Sequence, residues 1–194
     1  MATVVLQPSS VIISGSFNNE SGSGFDVAKI NDSSNSTYIY NASANQNFAV
    51  HMDDTSGLSG ATFNNFVVTA VFQKHGARGF DGSFEVDIGD GSSATTFGSV
   101  SDTTFVTTNA TPTTISSSAI AFGGSITDTK VDDMRLTVTT TDNTQVRFFQ
   151  LYVTVDYTAA AAGYGHEVNN VAAASIAKVK GVATASIAKV NGVD

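Results

Sequence analysis

The chain has 194 residues, a formal net charge of −8 and no cysteine. The absence of cysteine excludes disulfides and thiolate metal sites. A hydrophobic share of 41% is too high for a disordered chain, and the length suffices for one domain with a core and an appendage. The acidic balance repels phosphate backbones, so we expect no binding to nucleic acid.

Alternating apolar residues predict short antiparallel strands along most of the chain, because a period of two is typical of a half-buried strand. In chain order the candidates are 3–6, 11–17, 25–30, 36–41, 47–53, 64–73, 83–88, 103–108, 113–122, 133–141 and 146–157. Gly, Ser, Asn and Asp fill the links between them, as turns require. The pattern predicts an all-β fold, an antiparallel β-sandwich of the jelly-roll type.

The last candidate strand, 146–157, also predicts part of the core. Strict alternation places one apolar set on the inward face: Phe149, Leu151, Val153 and Val155. Phe148 then falls on the opposite face of the strand.

A change in composition at 158–163 divides the chain. Residues 1–157 carry 6 Lys/Arg against 15 Asp/Glu, a net charge of −9, whereas residues 158–194 carry a net charge of +1. We therefore predict a β-sandwich domain over 1–157, a linker over 158–163 and a C-terminal repeat segment over 164–194.

The C-terminal repeat segment has a period of 11 residues. A copy from Val168 to Lys178 is followed by a second from Val179 to Lys189, and a third begins at Val190. Small and aliphatic residues leave these copies little chemistry beyond packing. We predict that the apolar residues form an assembly interface with copies of the chain or with a neighbouring protein. They are Val168, Val171, Ile176, Val179, Val182, Ile187, Val190 and Val193.

Two structures fit the repeats. Asn169-Asn170, Lys180-Gly181 and Asn191-Gly192 lie between β-branched residues, a hairpin signal, so 171–179 and 182–190 would be strands of a meander. Alternatively, an 11-residue period places a stripe of Val and Ile along one helix. Gly and Asn within each copy oppose the helix, so the β interpretation is favoured. Neither structure is stable without a partner.

No motif marks a catalytic or metal site. His51, His75 and His166 lack the spacing of a local metal pair, and we interpret them as surface or partly packed residues. The acidic segments 87–92 and 128–133 match no known calcium-binding loop, and we interpret them as turns. No Gly-x-Ser-x-Gly elbow is present. We predict a protein that is not an enzyme and uses no metal or cofactor.

One segment suggests a binding surface. Tyr38 and Tyr40 alternate onto one face of a predicted strand, with Asn31, Asn35 and Asn41 beside them. Aromatic rings and amides together bind sugars by stacking and hydrogen bonding, so both tyrosines are candidate glycan contacts. In the alternative interpretation, the two rings cover the edge of the sandwich and keep their hydroxyls in water.

The N-terminus has neither a basic region nor a sustained apolar run, so the sequence predicts no secretory signal. No stretch approaches the apolar length needed to span a bilayer. We expect a protein that folds in a cytoplasm and has no membrane partner.

Two parts of the sequence resemble structural proteins of tailed bacteriophages. Residues 163–171, Gly-Tyr-Gly-His-Glu-Val-Asn-Asn-Val, followed by Ser-Ile-Ala-Lys-Val-x-Gly-Val, resemble C-terminal repeats of such proteins. Residues 32–40, Asp-Ser-Ser-Asn-Ser-Thr-Tyr-Ile-Tyr, and 149–157, Phe-Gln-Leu-Tyr-Val-Thr-Val-Asp-Tyr, resemble a β-sandwich module of phage virion proteins. The resemblance implies a virion protein and does not say which one. We expect it to be made in the host cytoplasm and to lie on the virion surface, on the capsid or tail.

The sequence narrows the choice of virion component. A major shell protein, a portal or a terminase of tailed phages needs long helices, and no helical stripe precedes residue 158. A small acidic sandwich with an adhesive tail fits a decoration protein, a head fibre or a short tail component. We expect a homo-oligomer, with a trimer as one candidate, that docks on capsid or tail subunits. The alternative function is a carbohydrate-binding adhesin on a phage fibre or cell surface.

Overall fold

The computed structural model describes residues 1–41, 45–55, 57–74, 82–91, 93–122, 126–141 and 145–160, together with the backbone of 178–179 and 182–183. Between 93 and 96, too, only the backbone is described. The chain divides into two units, Met1–Thr158 and Ala159–Asp194.

Two antiparallel sheets pack against one another in the first unit. Within the described residues the first sheet has seven strands: β1 (Ala2–Leu6), β3 (Phe17–Asn19), β4 (Ile39–Asn41), β6 (Thr62–Lys74), β9 (Thr113–Ser116), β10 (Ile120–Ala121) and β12 (Val146–Thr158). The second sheet has five: β2 (Pro8–Ile13), β5 (Asn47–Met52), β7 (Gly82–Asp90), β8 (Ser93–Thr107) and β11 (Met134–Thr140). A 3₁₀ helix (Val27–Ile30) and a short α-helix, α1 (Asp128–Asp132), lie between strands.

The strand β12 is central to the first sheet. It pairs with β6 along one side and with β4 and β1 along the other. The order is β10-β6-β12-β4-β3, with β9 also paired to β6. The second sheet runs β2-β5-β11-β7-β8. The all-β prediction is confirmed at the level of two packed antiparallel sheets.

Phenylalanine rings join the two sheets in the core. Phe72 and Phe148 come from the first sheet, Phe48 and Phe84 come from the second, and all four are fully buried. The ring of Phe84 lies 4.7 Å from that of Phe148 and 4.8 Å from that of Phe72, in edge-on arrangements that aromatic pairs prefer. The apolar faces predicted for 47–53, 64–73, 83–88 and 133–141 all line this core.

A β-bulge near the start of β12 changes the predicted alternation. Between Phe148 and Gln150, β12 has one residue more than its partner β6. Because an extra residue shifts the later side chains by one face, Phe148 joins Leu151 in the core, and its predicted place on the opposite face was wrong. Phe149 is buried as predicted, with 3% exposure. The bulge, however, places it outside the inter-sheet core cluster and against Tyr38 on the outer face. The other predicted core residues are fully buried: Leu151, Val153 and Val155.

Local chemistry overturns the strand predicted over 25–30 and shortens the strand predicted over 11–17. Residues 25–30 contain a 3₁₀ helix instead of a strand, because the Asp26 side chain accepts a hydrogen bond from the backbone N–H of Ala28 and caps it. The strand predicted over 11–17 ends at Ile13. Gly15 follows with a φ of 54°, and a β-carbon there would lie 1.9 Å from the carbonyl oxygen of Asn47, so only glycine fits the turn.

A buried polar network links the two sheets beside the connection from β11 to β12. The Asn41 side chain, with 0% exposure, accepts a hydrogen bond of 2.6 Å from the backbone N–H of Val146. It also donates to the Thr140 hydroxyl at 3.3 Å. That hydroxyl donates to the carbonyl of Gln46 and accepts from its N–H, both at 3.1 Å. The Asn41 side chain thus supplies a hydrogen-bond acceptor for the backbone N–H of Val146, which is buried and cannot bond to water.

Replacing Asn41 with alanine should lower the free energy of unfolding by about 1–3 kcal/mol, because the buried N–H of Val146 loses its acceptor. Urea denaturation of the whole chain measures the effect. Asn64→Ala is the matched control, since that amide makes an exposed hydrogen bond to Thr158 and should change stability by less than about 0.5 kcal/mol. Equal losses in the two variants would contradict the role given to Asn41.

Candidate functional site

The outer face of the first sheet carries both tyrosines predicted as glycan contacts. Tyr40 pairs with Arg147 of β12, and Ile39 pairs with Phe148. Ile39 is fully buried, so its neighbours Tyr38 and Tyr40 point away from the core. Both tyrosines are partly exposed. The strand pairing therefore places them beside the outward residues of β12.

Tyr38 and Tyr40 belong to a compact aromatic cluster. Their ring centroids lie 6.2 Å apart, with the rings inclined by 59°. Phe149 lies 5.5 Å from Tyr38 and is itself buried. Phe149, the extra residue of the bulge in β12, thus packs against the Tyr38 ring. We call Tyr38, Tyr40, Arg147, Phe149, Gln150 and Asn35 the tyrosine patch.

Arg147 is held within the tyrosine patch by two neighbours. Its guanidinium carbon lies 4.7 Å from the centroid of the Tyr38 ring, a cation–π contact. The opposite residue on β6 is Gln73, which is largely buried. In the amide orientation that satisfies both of its polar groups, Gln73 donates to the carbonyl of Ala110 at 3.3 Å and accepts from Arg147 at 3.2 Å. These contacts hold the guanidinium over the Tyr38 ring.

Amides border the aromatic rings. The Gln150 side chain donates to the Asn35 side-chain oxygen at 3.2 Å, across a long separation in sequence. Each primary amide carries one acceptor oxygen and two N–H donors. The pair therefore has hydrogen-bonding groups beyond those used in the bond that joins it.

An ion pair lies at the strand edge beside Tyr38. The Lys29 ammonium and the Glu20 carboxylate are 2.8 Å apart. The hydrogen bond from Lys29 holds the pKa of Glu20 below its ordinary value, and a backbone hydrogen bond from Tyr38 acts in the same direction. The hydrogen bond to Glu20 in turn raises the pKa of Lys29. Both groups are thus charged at neutral pH, and their charges cancel locally.

The structure brings together residues that sequence reasoning did not connect with the tyrosines. Arg147, Phe149 and Gln150 lie more than a hundred residues from Tyr38. The apolar pair Phe148-Phe149 was the available signal, since two adjacent large apolar residues break a strict alternation. Asn35 bonds to Gln150, whereas Asn31 donates to the carbonyl of Pro8 at 2.8 Å.

The predicted assembly residues lie outside the described residues, except for the backbone of Val179 and Val182. These two residues pair in an antiparallel ladder, as do Lys178 and Ala183. Antiparallel pairing at this point is the arrangement expected of the meander. The interface over Val168, Val171, Ile176, Ile187, Val190 and Val193 stays a prediction.

The acidic segments considered for calcium make protein contacts. Within 128–133, the Asp132 carboxylate accepts hydrogen bonds from the backbone and hydroxyl of Thr55. Asp133 accepts from the N–H of Gly91 at 3.1 Å and lies 3.9 Å from the ring of His51. In the part of the chain that the structure describes, no three His, Asp or Glu residues are grouped as metal ligands. His75 and His166 lie outside it.

Comparison with known protein families, with curated protein sequences and with solved structures finds no match. Across the described residues, no helix is long and apolar enough to cross a membrane.

Proposed function

We propose that the protein is a non-enzymatic structural component of a tailed-phage virion, which decorates the capsid or tail as a homo-oligomer. The observation that supports an assembly role is the separation of the chain into a β body and a second unit that contains the repeats. The virion setting rests on the resemblance of residues 32–40, 149–157 and 163–171 to phage structural proteins. The core residues that the structure describes all lie in the body, and we propose that the body folds without the repeats. The repeats are then available for assembly.

We also propose that the body is a jelly roll. The proposal rests on the order of eight strands in the two sheets: β4, β5, β6, β7, β8, β9, β11 and β12. The first sheet contains the order β4-β12-β6-β9, and the second contains β5-β11-β7-β8. Two interlocked Greek keys produce this order in a jelly roll, an architecture used by viral capsid and lectin domains. The likeness to those classes is a fold-level analogy.

The distribution of charge fits a surface component. The body carries a net charge of −9, which keeps crowded copies soluble and apart. The segment 158–194 carries a net charge of +1 and contains the eight Val and Ile residues of the predicted assembly interface. We propose that the acidic body faces solvent while the repeats contact one another or a capsid or tail subunit.

We expect the protein in purified phage particles at a fixed copy number relative to the major shell protein. Quantitative mass spectrometry of particles banded by density measures the ratio. A symmetric docking site gives the same ratio in independent preparations. Recovery of the protein only in the unassembled fraction, or at a ratio that varies between preparations, would contradict the virion function.

A further inference from the structure

We infer that the tyrosine patch binds a neutral oligosaccharide. This inference concerns a surface distinct from the repeats and does not depend on the virion function. Sugar rings present C–H groups on their faces and hydroxyls on their rims. A protein surface therefore fits a sugar when an aromatic ring can stack on the C–H face and hydrogen-bonding groups lie beside that ring. The tyrosine patch combines both on the outer face of one sheet.

The aromatic platform is held in place before any ligand arrives. Phe149 supports the Tyr38 ring at 5.5 Å, and Arg147 lies 4.7 Å from its centroid. Arg147 is fixed in turn by the amide of Gln73. Because these side chains are already ordered, binding requires little further loss of side-chain entropy.

The relative orientation of the rings favours more than one sugar unit. Tyr38 and Tyr40 are 6.2 Å apart and inclined by 59°, so a single flat sugar face cannot stack on both. Two successive sugar units with inclined planes can contact the exposed parts of the two rings, one unit on Tyr40 and the next on the part of Tyr38 that Arg147 and Phe149 leave uncovered. The amides of Gln150 and Asn35 adjoin the same cluster and supply donors and acceptors for hydroxyls.

The charges around the tyrosine patch favour a neutral ligand over an acidic one. The positive charge of Arg147 is already engaged with the Tyr38 ring and the Gln73 oxygen. The Glu20 carboxylate is paired with Lys29. The remaining field comes from a body with a net charge of −9, which repels polyanions. A sugar without carboxylates or sulfates avoids this repulsion.

The test uses the ¹⁵N-labelled whole chain and a panel of trisaccharides. The neutral probes are maltotriose, cellotriose and chitotriose, and the acidic probe is the trisaccharide of galacturonic acid. At concentrations up to about 10 mM, we expect at least one neutral probe to shift the side-chain amide signals of Gln150 and Asn35. Galacturonic acid trisaccharide should leave these signals in place.

Substitutions then locate the binding site. Tyr40→Ala should weaken binding of the neutral probe at least about tenfold by removing a stacking surface, whereas Tyr40→Phe should retain most of the affinity. His51→Ala, on the second sheet, is the control and should leave binding unchanged. Gln150→Ala provides an independent variant, expected to weaken binding, if Tyr40→Ala does not fold.

Three results would overturn the inference. The first is the absence of any shift with all three neutral probes. The second is a preference for the galacturonic acid trisaccharide. The third is unchanged binding in both Tyr40→Ala and Gln150→Ala, which would place the sugar elsewhere. These measurements use the free protein, so a negative result does not contradict the proposed virion function. Conversely, absence of the protein from phage particles does not contradict the sugar site.

Discussion

Replacing Phe148 with alanine will lower the free energy of unfolding by about 3–5 kcal/mol, the cost of a large cavity in a packed core. Phe148 is fully buried, and its ring lies within 6.5 Å of those of Phe17, Phe48, Phe72 and Phe84. These partners come from both sheets and cannot all collapse into the space left behind. A loss of this size is a large fraction of the stability of a small domain.

Phe149→Ala is the matched control for this prediction. Phe149 is buried beside Tyr38 at the outer face, where the tyrosine and solvent can fill part of the vacated space. We expect its loss to be smaller than that of Phe148→Ala by at least about 1 kcal/mol. Urea denaturation of both variants measures the difference. A larger loss for Phe149 would mean that strict alternation holds and that the bulge in β12 is absent.

Deleting residues 164–194 will leave a folded body that no longer assembles. The deleted segment contains the eight predicted interface residues, from Val168 to Val193. Each aliphatic side chain that becomes fully buried in an interface contributes about 1.5–3 kcal/mol, so even partial burial of the set holds a stable contact. Sedimentation velocity and native mass spectrometry of the intact and shortened chains measure the change in oligomeric state.

Point substitutions separate the apolar contacts from the length of the segment. Ile176→Asp combined with Ile187→Asp places a carboxylate in two successive copies of the repeat and should dissociate the oligomer. The thermal transition of the body should change little, because the body packs its own core. Lys178→Gln combined with Lys189→Gln is the matched control at equivalent positions of the repeat, and we expect it to assemble normally. An unchanged oligomer after the aspartate substitutions would refute the predicted interface.

The strands that could be predicted from the sequence are those with one apolar face. Segments such as 64–73 and 133–141 bury alternate residues against the other sheet, so a period of two was sufficient to place them. The error at Phe148 arose because a bulge depends on pairing with β6, which local sequence does not specify. The error at 25–30 arose because a cap at Asp26 outweighed the apolar pattern.

The tyrosine patch could be predicted only in part, because some of its residues come together through strand pairing. Tyr38 and Tyr40 share a face by local alternation, so the sequence alone identified them. Arg147 and Gln150 join them through the pairing of β4 with β12 and through a bulge. The adjacent Phe148 and Phe149 are a local signal of the bulge, but the pairing of β4 with β12 has no local signal, because strand register is set by contacts distant in sequence.

Binding to phage particles stripped of this protein tests the central claim most directly. Increasing amounts of the whole chain, and of a chain ending at residue 163, are added to such particles, and the bound copies are counted by quantitative mass spectrometry. We predict that the whole chain saturates at one fixed copy number per particle, whereas the shortened chain does not bind. Equal occupancy by the two chains, or binding of the whole chain without saturation, would contradict assembly through the repeats.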